Sequence, residues 1–313
     1  MSLAKFRKSS NDFDALNSKI NAVMNPTRQG GDDDRFWQPS VDKAGNGYAV
    51  IRFLPSPDFD ADGVNEVPFA RVYDHGFKGP GGWYIENSRS SLGPDEADPV
   101  LEYNSVLWET GLKANKDIVS GTPGNPGTKR RLHFYSNVLV IEDPIKPENN
   151  GKVFLYRYGK KIFDKIDGKM NPKFANVAKV NPFDLENGAT FQLRIQKVDG
   201  QRNYNESSFD APTPIATDDA AIEAIINQLH SLKEFTDPAK FKSYDELKAK
   251  LDRVLKVNNK PTKATVEQEE VIPPTFQKTS PAKAKEVQAP WETAGEDADD
   301  DGDLAQFRAL VKG

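Results

Sequence analysis

Between residues 41 and 209 the chain is a succession of short apolar runs cut by Gly, Pro and Asn. That spacing admits strands and leaves little room for long helices. Gly45-Asn46-Gly47 is a turn feeding the run at 48–54, which Pro55 ends. Further strands are expected at 69–73, 83–86, 133–141, 153–158 and 191–198, with Asp199-Gly200 as a closing turn. Residues 121–127 (GTPGNPG) hold too much Gly and Pro for regular structure and predict a mobile loop.

Helical periodicity flanks this β region. Phe13, Leu16, Ile20 and Val23 predict a helix over 12–24, with Ser10 or Asn11 as its cap and Asn25-Pro26 as its stop. Ile222, Ile225, Ile226 and Leu229 predict a second. Ser243, Tyr244, Leu247, Leu251, Val254 and Leu255 predict a third, with Ser243 capping and Glu246 placed to complete a capping box. From about 258 onward Pro, Lys, Glu, Thr and Ala replace the apolar anchors, which is linker composition. The last ten residues, with Leu304, Phe307, Leu310 and Val311, suit a short docking peptide.

Several chemistries are disfavoured at once. There is no cysteine, so disulfides, thiol catalysis and cysteine-held zinc are out. The three histidines, His75, His133 and His230, stand far apart and in no metal-binding spacing. Gly79-Pro80-Gly81-Gly82 lacks the Lys-Ser/Thr of a phosphate loop and reads as a turn. Glu142-Asp143 reads as a solvated strand end. No run is long and apolar enough to span a bilayer, and the opening residues lack a signal peptide's apolar core, which predicts a cytoplasmic protein.

The net charge of −5 conceals a marked asymmetry. Residues 129–179 carry twelve basic side chains against five acidic ones. Residues 292–303 carry seven acidic side chains and no basic one: Glu292, Glu296, Asp297, Asp299, Asp300, Asp301 and Asp303. Single-stranded nucleic acid requires cations for its phosphates and flat rings for its bases. Lys129-Arg130-Arg131 runs into His133-Phe134-Tyr135, and the stretch 152–161 (KVFLYRYGKK) repeats the combination. In a strand Phe154, Tyr156 and Tyr158 share one face, and Val153, Leu155 and Arg157 the other. The aromatic face serves either the core or stacked bases.

Several segments resemble the helix-destabilising, single-stranded DNA-binding proteins of T-even phages. They are Ala44-Gly45-Asn46-Gly47 with Ala49–Ser56, His75-Gly76-Phe77-Lys78, Trp83-Tyr84-Ile85-Glu86, the 147–162 stretch, Asn203-Tyr204 with Glu206-Ser207, and Lys240-Phe241-Lys242-Ser243 with Glu246-Leu247. The resemblance implies a mainly β fold with α additions. Its parts are an OB-like β-barrel core, a small β subdomain, C-terminal helices and a disordered acidic tail. It implies DNA contacts from Trp83, Tyr103, Lys129, Arg130, Arg131, Phe134, Tyr135, Tyr156, Arg157 and Tyr204. It implies that Arg7-Lys8-Ser9-Ser10 joins neighbouring protomers, and that the acidic tail recruits replication and recombination proteins and competes with DNA. Phe134-Tyr135 replaces the family's Tyr-Trp pair, and Leu132 and His133 replace hydroxyl residues after the internal basic run.

The family also has a subdomain that binds zinc through one His and three Cys. His75 matches the histidine, but the cysteine positions fall at Ser88, Asp98 and Leu101. The expectation is therefore no zinc and no other cofactor, with apolar packing by Trp83, Leu92, Val100 and Leu101 holding the subdomain. The expected division is an arm and short helix over 1–24, a DNA-binding core over 25–257 and a linker with acidic tail over 258–313. Within the core, the subdomain covers about 69–107 and the helices about 220–257. The implied function is cooperative, sequence-independent binding of single strands in the infected bacterial host's cytoplasm, without catalysis. The rival reading is a phage structural or interaction protein whose aromatics are all core.

Overall fold

The computed structural model describes residues 33–256, apart from 62, 123 and 199. The chain divides into two compact units, Met1–Phe36 and Trp37–Gly313. In the first, the described residues hold an ion pair between Arg35 and Asp33 at 2.7 Å. The expected helix over 12–24, the basic arm, the linker and the acidic tail lie outside the described residues.

A short strand, β1 (Phe36–Trp37), falls at the boundary between the units. The sheet of the second unit is built from β2 (Gly47–Phe53), β3 (Ala70–Gly79), β4 (Gly82–Asn87), β7 (Arg131–Glu142), β8 (Val153–Tyr158), β9 (Ala189–Val198), β10 (Gln201–Asn203) and β11 (Ser208–Pro212). The pairings among these strands are all antiparallel. Residues expected to form a mobile loop instead make a small hairpin, β5 (Gly121–Thr122) with β6 (Asn125–Pro126). Gly121 makes this possible, because its φ of 85° suits a residue without a Cβ.

β7 organises the sheet. One edge pairs with β8, while the other is shared, with β3 along residues 131–135 and β2 along 138–142. β2 continues to β9, and β9 to β10 and β11. No pairing among the described strands closes this path, so the expected barrel is an open sheet here. The division of one β7 edge between two strands accounts for the difference, since β3 and β4 leave the main path as a hairpin of their own.

Alternation along β7 and β8 then sorts side chains by face. Phe134, Val138, Val140, Tyr156 and Tyr158 pack with Phe53, Phe191, Ile162 and Ile166 into the main core. The last two come from α3 (Lys160–Met170), preceded in the chain by α1 (Pro99–Glu109) and α2 (Lys113–Ser120). Further on lie α4 (Asp219–Ile226) and α5 (Tyr244–Leu255). The capping box expected for α5 is present: Ser243 accepts from the Glu246 amide, and the Glu246 carboxylate accepts from the Ser243 amide.

α5 closes a second core with Phe77, Tyr84 and Val100 through Leu247, Leu251 and Val254. This corrects the expected packing of the β3–β4 region. Val100 is buried as expected, but Trp83, Leu92 and Leu101 are only half-buried, and the C-terminal helix supplies the missing apolar surface. The Gly79–Gly82 turn docks against the end of α5, where Gly81 donates its N–H to Val254 O at 2.7 Å. A Cβ on Gly81 would lie 2.0 Å from Arg253 O, so only glycine permits the approach. The segment is thus a turn, as its sequence suggested, and the structure adds its docking against α5. We predict that Leu251→Ala, which empties the centre of this second core, lowers stability by about 2–5 kcal/mol in urea unfolding.

Candidate nucleic-acid interface

The antiparallel register brings the basic segments together. Asp74 lies opposite Arg131, Val72 opposite His133 and Ala70 opposite Tyr135 across β3 and β7, while Arg157 of β8 lies opposite Tyr135. Cross-strand partners share a face, so Arg131, His133, Tyr135 and Arg157 stand on the side away from the main core. Like charges so close repel unless an anion intervenes. Asp74 is that anion. Its Oδ1 accepts from Arg131 Nε at 2.8 Å and lies 3.3 Å from His133 Nε2. Arg157 Nη2 in turn sits 2.9 and 3.1 Å from the two ring nitrogens of His133. Burial by itself pushes the Asp74 carboxyl up. The His133 hydrogen bond and the charges of His133, Arg131 and Arg157 outweigh it, holding the group well below the usual carboxylate range.

Cations and rings also meet elsewhere on these strands, where Arg71 and Tyr73 lie opposite Phe134 and Leu132 on the other face from Arg131. The Arg130 guanidinium lies 3.9 Å from the Tyr73 ring centroid, with Arg71 on the same ring at 5.4 Å. Tyr135 stacks on Phe235 at 4.3 Å, and Lys78 lies over Trp83 at 5.6 Å in the neighbouring hairpin. Tyr73, Arg71 and Lys78 were not singled out from the sequence. Alternation along an arginine- and tyrosine-bearing strand was the available signal, but it needed the β3–β7 register to acquire meaning.

A second buried carboxylate fixes the start of the basic run. Asp98 caps α1, accepting from the Val100 and Leu101 amides, and also accepts from the Ser88 hydroxyl and the Arg89 amide. Ser88 Oγ lies 2.8 Å from Ser90 Oγ, which accepts from Arg130 Nη1 at 2.7 Å. His75 Nδ1 donates to Thr128 O at 3.0 Å, and Asn104 Nδ2 donates to the same oxygen. Thr128 immediately precedes Lys129-Arg130-Arg131, so this polar chain anchors the basic run.

The positions corresponding to the family's zinc ligands are therefore adjacent in space for His75, Ser88 and Asp98, but their chemistry does not fit the metal. Leu101 offers no donor atom. The Asp98 oxygens already serve a hydroxyl and three amides, and Nε2 of His75 faces Asp98 Oδ1 at 3.5 Å. Closed zinc sites require four good ligands. Among the described residues no group of three or more His, Cys, Asp or Glu could hold a metal. Apolar packing alone was expected to hold this region; the Asp98 carboxylate adds a hydrogen-bonded hub to it.

Three expected stacking rings are in the wrong place for that role. Phe134 is 3% exposed, Tyr156 1% and Tyr204 2%, and all belong to the main core. Phe134 stacks on Phe163 at 4.0 Å, and Tyr156 meets Trp37 edge-on at 5.2 Å. The face shared by Phe154, Tyr156 and Tyr158 is the inner one, because apolar rings gain most by leaving water. Of the remaining positions, Lys129, Arg130, Arg131, Tyr135 and Arg157 gather around β7. Trp83 lies on β4, and Tyr103 packs half-buried beside the second core. The arm residues Arg7, Lys8, Ser9 and Ser10 and the tail acids from Glu292 to Asp303 lie outside the described residues. Asp143 is not the solvated strand end expected: it is buried and accepts from Trp37 Nε1 at 3.0 Å and from the Ile145 and Lys146 amides.

A sheet face that gathers arginines and rings, with its buried carboxylates committed to structural bonds, defines a binding domain. The model of a family described as "gp32 DNA binding protein like" matches residues 45–255, and the chain belongs to that family. The chain is 38% identical over 233 residues to the "Single-stranded DNA-binding protein" of Enterobacteria phage T2, covering 72% of this chain and 71% of the relative. It is 36% identical over 258 residues to the protein of the same name from Enterobacteria phage T4, covering 80% and 78%. A protein of that name from Escherichia phage SV14 is 44% identical over 84 residues, 26% of this chain and 70% of the relative.

Two outcomes check the roles of the carboxylates. Asp98→Ala is expected to lower stability by about 3–5 kcal/mol in urea unfolding, while chelator leaves the wild-type midpoint unchanged. Because folding depresses the Asp74 carboxyl, its stabilising contribution is complete above the unfolded value of about 4 and is lost as pH falls towards the folded value. Asp74→Asn should accordingly flatten the acid limb of a stability-against-pH curve.

Proposed function

We propose that this protein binds single-stranded DNA stoichiometrically and without sequence preference, protecting and organising it during phage replication, recombination and repair. The observation that carries the reading is the convergence of Arg131 and Arg157 on Asp74 and His133 beside Tyr135, with Arg130 next in the chain lying over the Tyr73 ring. Guanidiniums neutralise phosphates and release condensed counterions, and half-exposed rings receive bases that a duplex would hide. Binding only the single strand draws the equilibrium towards melted DNA. The protein performs no catalysis and needs no zinc in this reading, since Asp98 and its partners occupy the structural position of the metal.

The sheet around β7, with β2, β3, β8 and β9, is the part we assign to an OB-like core, and the β3–β4 hairpin with α1 to the subdomain. In the same reading Arg7-Lys8-Ser9-Ser10 joins adjacent protomers along the strand. The acidic residues from Glu292 to Asp303 recruit replication and recombination proteins and compete with DNA for the cationic face. Work in the infected cell's cytoplasm accords with the described residues, where no helix is long and apolar enough to cross a membrane.

The burial of Phe134, Tyr156 and Tyr204 favours the rival on one point, that these aromatics are core. It leaves the grouped guanidiniums unexplained, and the DNA-binding reading explains them. Titration with oligo-dT decides between the two. Quenching of tryptophan and tyrosine emission, with affinity falling by orders of magnitude from low to moderate salt, is the expected result. Arg157→Ala should reduce the slope of log affinity against log salt by about one. Unchanged emission and no salt dependence would reject the proposal.

A further inference from the structure

The described residue with the largest exposed apolar side chain outside this face is Phe174, 71% exposed in the loop that follows α3. The loop is anchored rather than trailing: Val180 N donates to Lys169 O at 3.1 Å across its base, and Val177 N donates to Phe174 O at 3.1 Å within it. Residues 173–179 are all exposed. Lys169, Lys173 and Lys179 are its charged residues, and no acid occurs from 168 to 183. A phenyl ring held in water is unfavourable by its apolar area. Here it stands among three cations with no carboxylate near in sequence.

A second exposed phenylalanine supplies the contrast. Phe59 is 57% exposed, but it lies between Asp58 and Asp60, with Glu66 close by in the same loop. The two rings resemble each other in exposure and differ in the sign of their surroundings. A polyanion is attracted to the first and repelled by the second.

We infer that the 169–179 loop is an additional single-strand contact, with Phe174 stacking on one base and Lys173 and Lys179 meeting the flanking phosphates. The inference rests on the single-strand-binding reading above and extends it to a part of the chain away from β7. α3 follows β8 directly after Gly159, and its eleven residues span about 16 Å. That length is covered by a few nucleotides, so one strand rounding the sheet edge from Arg157 to the loop stays inside the roughly four to sixteen that such domains cover. The contact needs no closing motion, since the ring already faces solvent.

The test uses the full chain and oligo-dT. Phe174→Ala should weaken binding at least about fivefold, the effect of one lost stack, while Phe59→Ala binds as wild type. Phe174→Leu, which keeps apolar area and removes the ring, should resemble Phe174→Ala. Phe174→Trp should show added emission that saturating oligo-dT quenches. If wild type binds and Phe174→Ala binds equally well, or the added tryptophan emission stays unquenched, the loop is no contact and the general reading survives. If wild type does not bind, that reading fails and the loop proposal falls with it.

Discussion

The proposed DNA-binding face depends on holding the Arg131 and Arg157 guanidiniums around one carboxylate, an arrangement that Coulomb repulsion between them opposes. At separations of a few ångströms in a partly desolvated setting, each unscreened pair is unfavourable by roughly 4 kcal/mol. Asp74 offsets this from below the face, bound to Arg131 and close to His133, which passes the contact to Arg157. One carboxylate against two guanidiniums leaves net positive charge, and Asp74 is itself engaged by Arg131 and His133. The result is a rigid cationic patch with charge left over for phosphate.

The β3–β4 region serves the same end from the side. Asp98 ties the N-terminus of α1 to Ser88, and Ser88 meets Ser90, which accepts from Arg130. His75 holds the carbonyl of Thr128, one residue before the basic run. In this region the Asp98 carboxylate gathers donors from a helix cap, a hydroxyl and a loop amide. α5 then seals the region with Leu247, Leu251 and Val254, which explains why a C-terminal helix is part of the same folded body.

Much of this was legible in the chain. Turn chemistry located β2, β7, β8 and β9 closely, and the Ser243–Glu246 pair marked the start of α5. The clustering of Lys129, Arg130, Arg131 and Arg157 was visible as a local charge surplus. Other features required pairing information. Period-two alternation along 153–158 separates Tyr156 from Arg157, but it does not say which face meets the core. The register with β7 decides that, and places the rings inside. α1, α2 and α3 escaped notice in a region read as β, and α3 carries its buried Ile162 and Ile166 among lysines and aspartates. The position of Asp98 as a hub was equally hidden, since its partners come from residues nine or more positions away and from a backbone cap.

The account stands on phosphate binding at the β3–β7–β8 junction. A crystal structure of the full chain with oligo-dT tests it most directly. The account predicts phosphate oxygens about 3 Å from the guanidiniums of Arg130, Arg131 and Arg157, with bases lying against Tyr73, Trp83 or Tyr135. A strand bound elsewhere, with those guanidiniums facing only solvent, would contradict it.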